Sequence, residues 1–477
     1  MQQLHRELRE RLGPSVTFDE EVRRAYNHDQ GEVPYLLMSM IRSVPDVVVA
    51  ARHESDVAET LKIAKRFNLP VTPRGQASSG YGGAIPTRGG ILLDLSEMNR
   101  ILKIDKDAAM VDVQPGVIWN LLSRKLNQQG LDNRICPTSA PSSTIGGWFA
   151  MGGVGLGSLK YGSIRDVVQE IDVVGLDGLV TTYAGDAVEV FHQTCGILGI
   201  ITRLRLLCRP AEALRPYAIL LQENADLAAF LARARNVLSP YSISLKSSGY
   251  LKMRGEAEGH PPLTEQGFLA TVVIPAGLAD DVRVAQTAKV CGGRLLSQEV
   301  ADLEWANRFY PMRVKKIGPS MMVSEFFIPE VKFQAVWKAV RAQLSGDVLG
   351  MEAMAVSNQR LAVQVYILHD AQEPLYLLRM AKALVPLRIA ARLGGSIYAC
   401  GMWFAAGSKK LWGEAKYEAV MECKRRVDPG WLLNPGKIQA PRMPWFPVMD
   451  LSRLIQLGTA VMAPLTRRLA GKRFRPS

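Results

Sequence analysis

The chain has 477 residues, about three times an ordinary domain of roughly 150, so a single small binding module is excluded. With 48% apolar and 22% charged residues, and 41 Gly and 27 Pro spread along it, the composition is that of a packed globular protein rather than a disordered or fibrous one. The net charge of +13 is uneven: residues 441–477 hold seven basic side chains and one acidic, so the body is only mildly basic and no nucleic-acid surface is expected.

Residues 1–45 are read as an N-terminal helical segment, charged and amphipathic over Met1–Gly13, with no apolar run of a secretory signal. Val47–Ala50 predicts a buried strand. Ser55 is expected to cap a helix whose Val57, Leu61 and Ala64 share a face, and Leu69–Thr72 resumes extended structure. Further strands are expected at Ile91–Leu95, Met110–Val113, Ile171–Leu176 and Ile200–Leu207, with a helix over Val117–Leu126. Alternating elements thus fill residues 46–210. Residues 211–393 carry fewer glycines and longer segments, with helices expected over Leu227–Leu238, Val282–Val290 and Lys332–Leu344, and read as a second α+β domain. Residues 394–440, rich in Gly, Trp and Pro, and the basic amphipathic tail 441–477 follow.

Six cysteines lie far apart, with no pair at the spacing of iron–sulfur or structural zinc sites. No cluster of its own is expected, and the reading is a reducing cytoplasmic setting without disulfides.

Two glycine clusters carry the chemistry: six glycines in residues 71–90 and seven in 144–162. Glycine lets several backbone N–H groups point at one anion. The first cluster, Pro73-Arg74-Gly75-Gln76-Ala77-Ser78-Ser79-Gly80, follows a strand and reads either as a pyrophosphate cradle or as a pair of tight hairpins. The dinucleotide fingerprint and the nucleotide-binding P-loop are both missing from the chain, which makes a Rossmann NAD site and a P-loop NTPase poor readings.

The order of motifs is more specific: Pro73-Arg74-Gly75 to Gly83-Ala84, Ile91-Leu92-Leu93-Asp94-Leu95 with Met98-Asn99-Arg100-Ile101, Val113-Gln114-Pro115-Gly116-Val117, Thr144-Ile145-Gly146-Gly147, Lys160-Tyr161-Gly162-Ser163-Ile164-Arg165-Asp166, Gly199-Ile200-Ile201-Thr202 and Leu433-Asn434-Pro435-Gly436-Lys437-Ile438. In this order they resemble the FAD-linked oxidase family of vanillyl-alcohol oxidase and p-cresol methylhydroxylase, nearest to the flavoprotein subunits of glycolate oxidase and D-lactate dehydrogenase. The likeness runs from about Val47 to Leu207 and again from Gly394 to Ile438.

The resemblance implies an α+β fold: a two-part FAD-binding domain of the p-cresol methylhydroxylase type, an α+β substrate or cap domain, and a C-terminal segment returning to the first. It also implies that Arg74, Gly75, Gln76, Ala77, Ser78, Ser79 and Gly80 wrap the FAD pyrophosphate. Pro137, Thr138, Ser139, Gly146, Gly147, Gly157, Tyr161 and Gly162 then follow the ribityl chain and flavin, and Ile200 contacts the adenine half by its backbone. Arg74 reads equally as a loop anchor and Tyr161 as a packed core ring. The positions at which some relatives bond the flavin covalently are Gln76, Ala77, Ser78 and Ser79, none able to form that linkage, so noncovalent FAD is expected.

The substrate side departs from the pattern. The His-rich metal motif and later Glu-His pair of hydroxy-acid-oxidising relatives are replaced by Ala355-Val356-Ser357-Asn358-Gln359-Arg360-Leu361-Ala362-Val363-Gln364-Val365 and by Tyr398-Ala399-Cys400-Gly401-Met402-Trp403-Phe404. No metal site and no His base are expected. Tyr398, Cys400, Lys409 and Lys410 are the candidates for taking the hydroxyl proton, or else are core aromatics and solvated charges. Arg308 and Arg313, in a basic aromatic run with Trp305, read as carboxylate binders or as a solvated helix face, and Trp403 as a substrate contact or a core ring.

The tail from Trp445 to Arg475 alternates apolar and basic residues at helical spacing, as suits either an interfacial helix on anionic lipid or a helix packed on the body or a partner. Its longest uncharged stretch, Leu454–Thr466, is 13 residues, too short to span a bilayer. The expected function is an FAD-dependent dehydrogenase oxidising a C–OH group, foremost a D-2-hydroxy acid, with electrons passed to an iron–sulfur or cytochrome partner or to membrane quinone. The expected location is the cytoplasm, with the inner membrane face as a peripheral site. The alternatives are a flavoprotein subunit of a larger electron-transfer complex without its own activity, and an FAD oxidoreductase for a bulky apolar substrate.

Overall fold

The computed structural model describes residues 2–31, 38–39, 41–259, 267–318, 320–369 and 381–438, and the backbone at 442–443 and 446–450. It divides into two compact units. One holds residues up to Gly153, Ser163–Ala211 and the chain from Ala399; the other holds Val154–Gly162 and Glu212–Tyr398.

The first unit contains two sheets. Strands β1 (Val16–Thr17), β2 (Val47–Ala50), β3 (Val71–Arg74) and β4 (Ile91–Asp94) form the smaller, in the order β1-β2-β4-β3. Val47, Val48 and Val49 are buried and β-branched, which favours the strand, and β2 and β3 both run parallel to β4. The helix Glu54–Arg66 buries Val57, Leu61 and Ala64 as its spacing predicts. Ser55 is not its cap, because the helix begins one residue earlier. Asp56 holds its start instead, accepting from the N–H groups of Arg52 at 2.9 Å and His53 at 3.0 Å. The strand expected at Leu69–Thr72 is shifted to Val71–Arg74, since Asn68 takes a left-handed turn after the helix.

The larger sheet is antiparallel, from β5 (Ile101–Asp105), β6 (Met110–Val113), β7 (Leu131–Asn133), β8 (Val168–Val174), β9 (Val180–Ala184) and β10 (Ile200–Pro210), ordered β5-β6-β10-β8-β9 with β7 beside β10. Charge fastens its centre: Arg205 Nε donates to Asp112 at 2.8 Å and Arg203 Nε to Asp172 at 2.5 Å.

The late segment is stitched into this unit by buried polar groups. Val71 N–H donates to Leu432 O at 2.8 Å and Asn434 N–H to Val71 O at 2.7 Å. Lys424, fully buried, gives its ammonium to Ile197 O at 2.8 Å, to Leu433 O at 2.9 Å and to Asp428. Lys437, equally buried, donates to Ile85 O at 2.6 Å.

The second unit is built on one eight-stranded sheet of β11 (Leu214–Leu221), β12 (Ser242–Ser247), β13 (Phe268–Pro275), β14 (Gly293–Leu295), β15 (Ser320–Pro329), β16 (Val348–Val356), β17 (Arg360–His369) and β18 (Ser396–Ile397), ordered β14-β11-β13-β12-β16-β17-β15-β18. One face packs Ile243, Leu245, Phe326, Ile328, Val363 and Val365 against the helices Leu227–Leu238 and Phe333–Gln343, forming the main core. The alternate residues of β15 and β17 are only half-buried, so Glu325, Phe327, Arg360, Ala362 and Gln364 form a strip on the opposite face.

The basic amphipathic tail expected over 441–477 lies largely outside the described residues. Where its backbone is described it is not helical: Arg442–Met443 pairs antiparallel with Phe446–Asp450. Pro447, with no N–H to donate, opposes a helix there. Among the described residues no helix is long and apolar enough to cross a membrane.

Candidate functional site

The bend after β3 is the centre of the first unit's site. Arg74 anchors it, donating to His28 O at 2.7 Å and Tyr26 O at 3.4 Å with its guanidinium 5.2 Å from the Tyr26 ring. Gly75 lies so close to the second glycine cluster that a Cβ on it would stand 2.4 Å from Thr144 Oγ1. Ala77 is forced to a φ of 47°, a conformation that costs an L-residue energy unless the surroundings fix it. Two serine contacts tie the bend to the second cluster: Ser78 Oγ to Ser143 Oγ at 2.9 Å, and Ser143 Oγ to Ser139 Oγ at 2.6 Å. Thr144 caps the helix Ile145–Met151, accepting from Gly147 N–H at 3.3 Å, and a Cβ on Gly146 would strike Pro115 at 2.5 Å. Pro137, Thr138 and Ser139 lead into this cap through a turn closed by Ala140 N–H on Pro137 O at 3.0 Å.

The main-chain N–H groups of Gln76, Ala77, Ser78, Ser79 and Gly80 donate to no acceptor among the described residues. Five consecutive donors left over on a strained bend, packed by hydroxyls and small residues, are what an extended diphosphate requires. The residues present therefore fit the pyrophosphate of FAD.

A residue that sequence reasoning missed braces this bend from outside it. Asp29, buried, accepts from Gly31 N–H at 2.9 Å and Gly82 N–H at 2.7 Å, and burial pushes its carboxyl up to about 6. Gln30 N–H adds a bond to Ser79 O at 3.2 Å. The partners are some fifty residues apart, so no local pattern signals them. Ile200, at the start of β10, is buried and pairs with Val174.

The remaining candidates of this unit lie on the late segment, which meets the chain just after the bend, Met402 N–H donating to Tyr81 O at 2.8 Å. Cys400 is buried, and that burial pushes its thiol well above the usual range, which makes it a poor proton acceptor near neutrality. Trp403 Nε1 would lie 3.2 Å from a Cβ on Gly82. Lys409 is an exposed surface charge paired with Glu414 at 2.6 Å.

In the second unit, Gly157 and Gly162 take φ of 84° and 78° at the two ends of the short helix Ser158–Tyr161. Tyr161 packs edge-on to Tyr241 with centroids 6.5 Å apart. Tyr398 stacks on Phe327 at 5.2 Å, and its hydroxyl accepts from Val154 N–H at 3.1 Å and meets Val154 O at 3.3 Å. Of the two arginines, Arg308 lies 4.4 Å from the rings of both Trp305 and Phe309 and donates to Trp305 O at 2.6 Å. Arg313 engages all five of its N–H donors within the protein, on Glu258, Asn307 and the carbonyls of Asn307, Phe309 and Tyr310, leaving none for a ligand.

Across the sheet's second face runs a polar row that the sequence did not announce. Register places Lys246, Glu352, Gln364 and Glu325 opposite one another on β12, β16, β17 and β15. Gln364 Nε2 donates to Glu325 at 2.8 Å and receives the Tyr366 hydroxyl on its carbonyl. At the far end Lys246 donates to Glu304 at 2.6 Å, and Arg254 adds a two-pronged pair to the same carboxylate, one arm at 2.9 Å. Burial, the largest influence, pushes Glu304 up, but the two cations outweigh it together and hold the carboxyl down to about 2. Among the described residues no group of three His, Cys, Asp or Glu side chains is arranged to hold a metal ion.

Comparison with known proteins decides the family. The FAD binding domain family matches residues 45–183, and the family of FAD linked oxidases, C-terminal domain, matches residues 213–438. The chain belongs to the FAD-linked oxidases. FAD is the cofactor of such a chain. Glycolate oxidase subunit GlcD of Bacillus subtilis (strain 168) is 34% identical over 197 residues, covering 39% of this chain and 42% of that protein. A D-lactate dehydrogenase of Anaerostipes hadrus is 30% identical over 220 residues, covering 44% and 45%. The matched stretches thus span less than half the length of these two relatives. Among solved structures, p-cresol methylhydroxylase with substrate bound superposes with a TM-score of 0.76 over 92% of this chain and 96% of that one, at 18% identity, a likeness of fold.

Proposed function

We propose that this FAD-linked oxidase is a dehydrogenase that oxidises the C–OH group of a D-2-hydroxy acid of the glycolate or D-lactate kind, passing the electrons to a partner protein or a quinone. The acceptor-free amides of Gln76–Gly80 carry the cofactor half of this reading, and the glycolate oxidase and D-lactate dehydrogenase relatives support the substrate half. Held noncovalently, FAD supplies an acceptor for the hydride that leaves the alcohol carbon.

The chain's own residues supply binding and proton handling. The bend from Arg74 to Gly80 holds the diphosphate through its amides, braced by Asp29 and by the Ser78, Ser143 and Ser139 hydroxyls. Pro137, Thr138, Gly146, Gly147, Gly157, Tyr161, Gly162 and Ile200 are assigned to the rest of the cofactor. Oxidation of an alcohol also releases the hydroxyl proton, and Glu325 is the proposed acceptor, oriented by Gln364 on the half-buried strip. Tyr398 is assigned a positioning role, since its hydroxyl is already engaged with Val154.

Anaerobic mixing of the holoenzyme with D-lactate, glycolate and D-2-hydroxyglutarate tests the reading. Bleaching of the flavin band by at least one is expected, and bleaching by none contradicts it. Glu325→Gln is expected to retain full FAD content while slowing that bleaching by roughly a hundredfold or more, the usual size of a general-base contribution.

A further inference from the structure

We propose that Arg360 is a carboxylate anchor on the second face of the eight-stranded sheet, and that it selects an organic acid over a neutral alcohol. The inference rests on the hydroxy-acid reading above and names the group that recognises the acid.

Arg360 opens β17, opposite Pro329 on β15. Its guanidinium lies 5.1 Å from the Phe327 ring, and Phe327 is stacked in turn on Tyr398. One N–H donates to Ser396 Oγ at 3.0 Å. That is one bond from a group with five donors, and among the described residues no carboxylate pairs with it. Two other arginines of this unit show the contrast: Arg313 uses every donor, and Arg254 grips Glu304 with two arms. Burial alone acts on Arg360, lowering its pKa with no acid nearby to offset the loss of hydration.

A half-buried guanidinium with no carboxylate partner among the described residues is held by an aromatic plate and a hydroxyl. This presents a planar fork that matches a carboxylate in two parallel hydrogen bonds. Further along the same face stand Ala362, whose methyl leaves room, and then Gln364 opposite Glu325. An acid whose carboxylate sits on Arg360 has the Glu325 carboxylate further along the same face, on the neighbouring strand. The stretch Ala355–Val365 contains no histidine, and the positive charge assigned here to receive the acid is the Arg360 guanidinium.

Oxalate binding to the holoenzyme, measured by calorimetry and by the flavin difference spectrum, tests the assignment without turnover. Arg360→Gln is expected to weaken oxalate roughly tenfold to hundredfold, with FAD content and near-ultraviolet circular dichroism unchanged, as loss of a two-pronged charged pair implies. Arg360→Lys, which keeps the charge but not the fork, is expected to fall between. Excess EDTA is expected to leave the wild-type affinity unaltered. Equal oxalate affinity in wild type and Arg360→Gln overturns the proposal, as does loss of oxalate binding on chelation. Reduction of the flavin by D-lactate at equal rates and midpoints in both proteins overturns the anchor while the dehydrogenase reading stands. Oxalate binding that depends on Arg360 without reduction by any hydroxy acid leaves the anchor in place and removes that reading.

Discussion

Gly75→Ala places one methyl where the structure has no room for it. The new Cβ would stand 2.4 Å from Thr144 Oγ1, roughly an ångström closer than ordinary contact, so either the bend or the cap of the helix Ile145–Met151 must move. Giving up the cap costs about 1 kcal/mol. Moving the bend misaligns the amides of Gln76–Gly80, and each charge-assisted bond lost to the diphosphate is worth about 1.5–3 kcal/mol. If two are lost, the penalty is about 3–6 kcal/mol, a Kd for FAD raised by roughly two to four orders of magnitude. The measurement is titration of the apoprotein with FAD, followed by flavin fluorescence quenching. Gly277→Ala is the control, because a Cβ there meets nothing within 4 Å. FAD affinity in Gly75→Ala within a factor of three of wild type would refute the cradle.

Other expectations concern the frame around the site. Because Glu304 is held at about 2 against an ordinary 4.5, its ion pairs stabilise the folded state fully above pH 4.5, and that contribution is lost as pH falls towards 2. Glu304→Gln is accordingly about 3 kcal/mol less stable in urea at pH 7, the gap closing in acid; a gap independent of pH would count against this. Lys424→Met leaves Asp428 buried without its cation and is expected to cost about 3–5 kcal/mol, read as a fall in the urea midpoint of the first unit. Lys409→Gln removes only a solvated charge, and flavin reduction rates within twofold of wild type are expected.

The half of the site proposed for the cofactor could be picked out in the sequence because its parts are local. A strand ends at Arg74, the bend follows at once, and the hydroxyls and glycines of 137–147 form a second local run. The helix Glu54–Arg66 followed from the spacing of Val57, Leu61 and Ala64. The side proposed for the substrate was much less legible, since its residues meet through strand register: Lys246, Glu352, Gln364 and Glu325 come together only once β12, β16, β17 and β15 are paired. Arg360 looked unremarkable in the chain because its distinction, that no carboxylate pairs with it among the described residues, shows only in three dimensions. Arg313 misled for the converse reason, a conspicuous charge whose donors the surrounding loop consumes. Asp29 shows the same limit at longer range, reaching the bend from an N-terminal segment with no motif of its own.

Whether one FAD sits in the chain without a covalent bond is settled by flavin analysis of purified, desalted protein. One equivalent of FAD per polypeptide, released into the supernatant on acid precipitation and taken up again by the apoprotein, is the predicted result. A colourless protein that no added FAD restores, or flavin that stays with the precipitated chain, would contradict it.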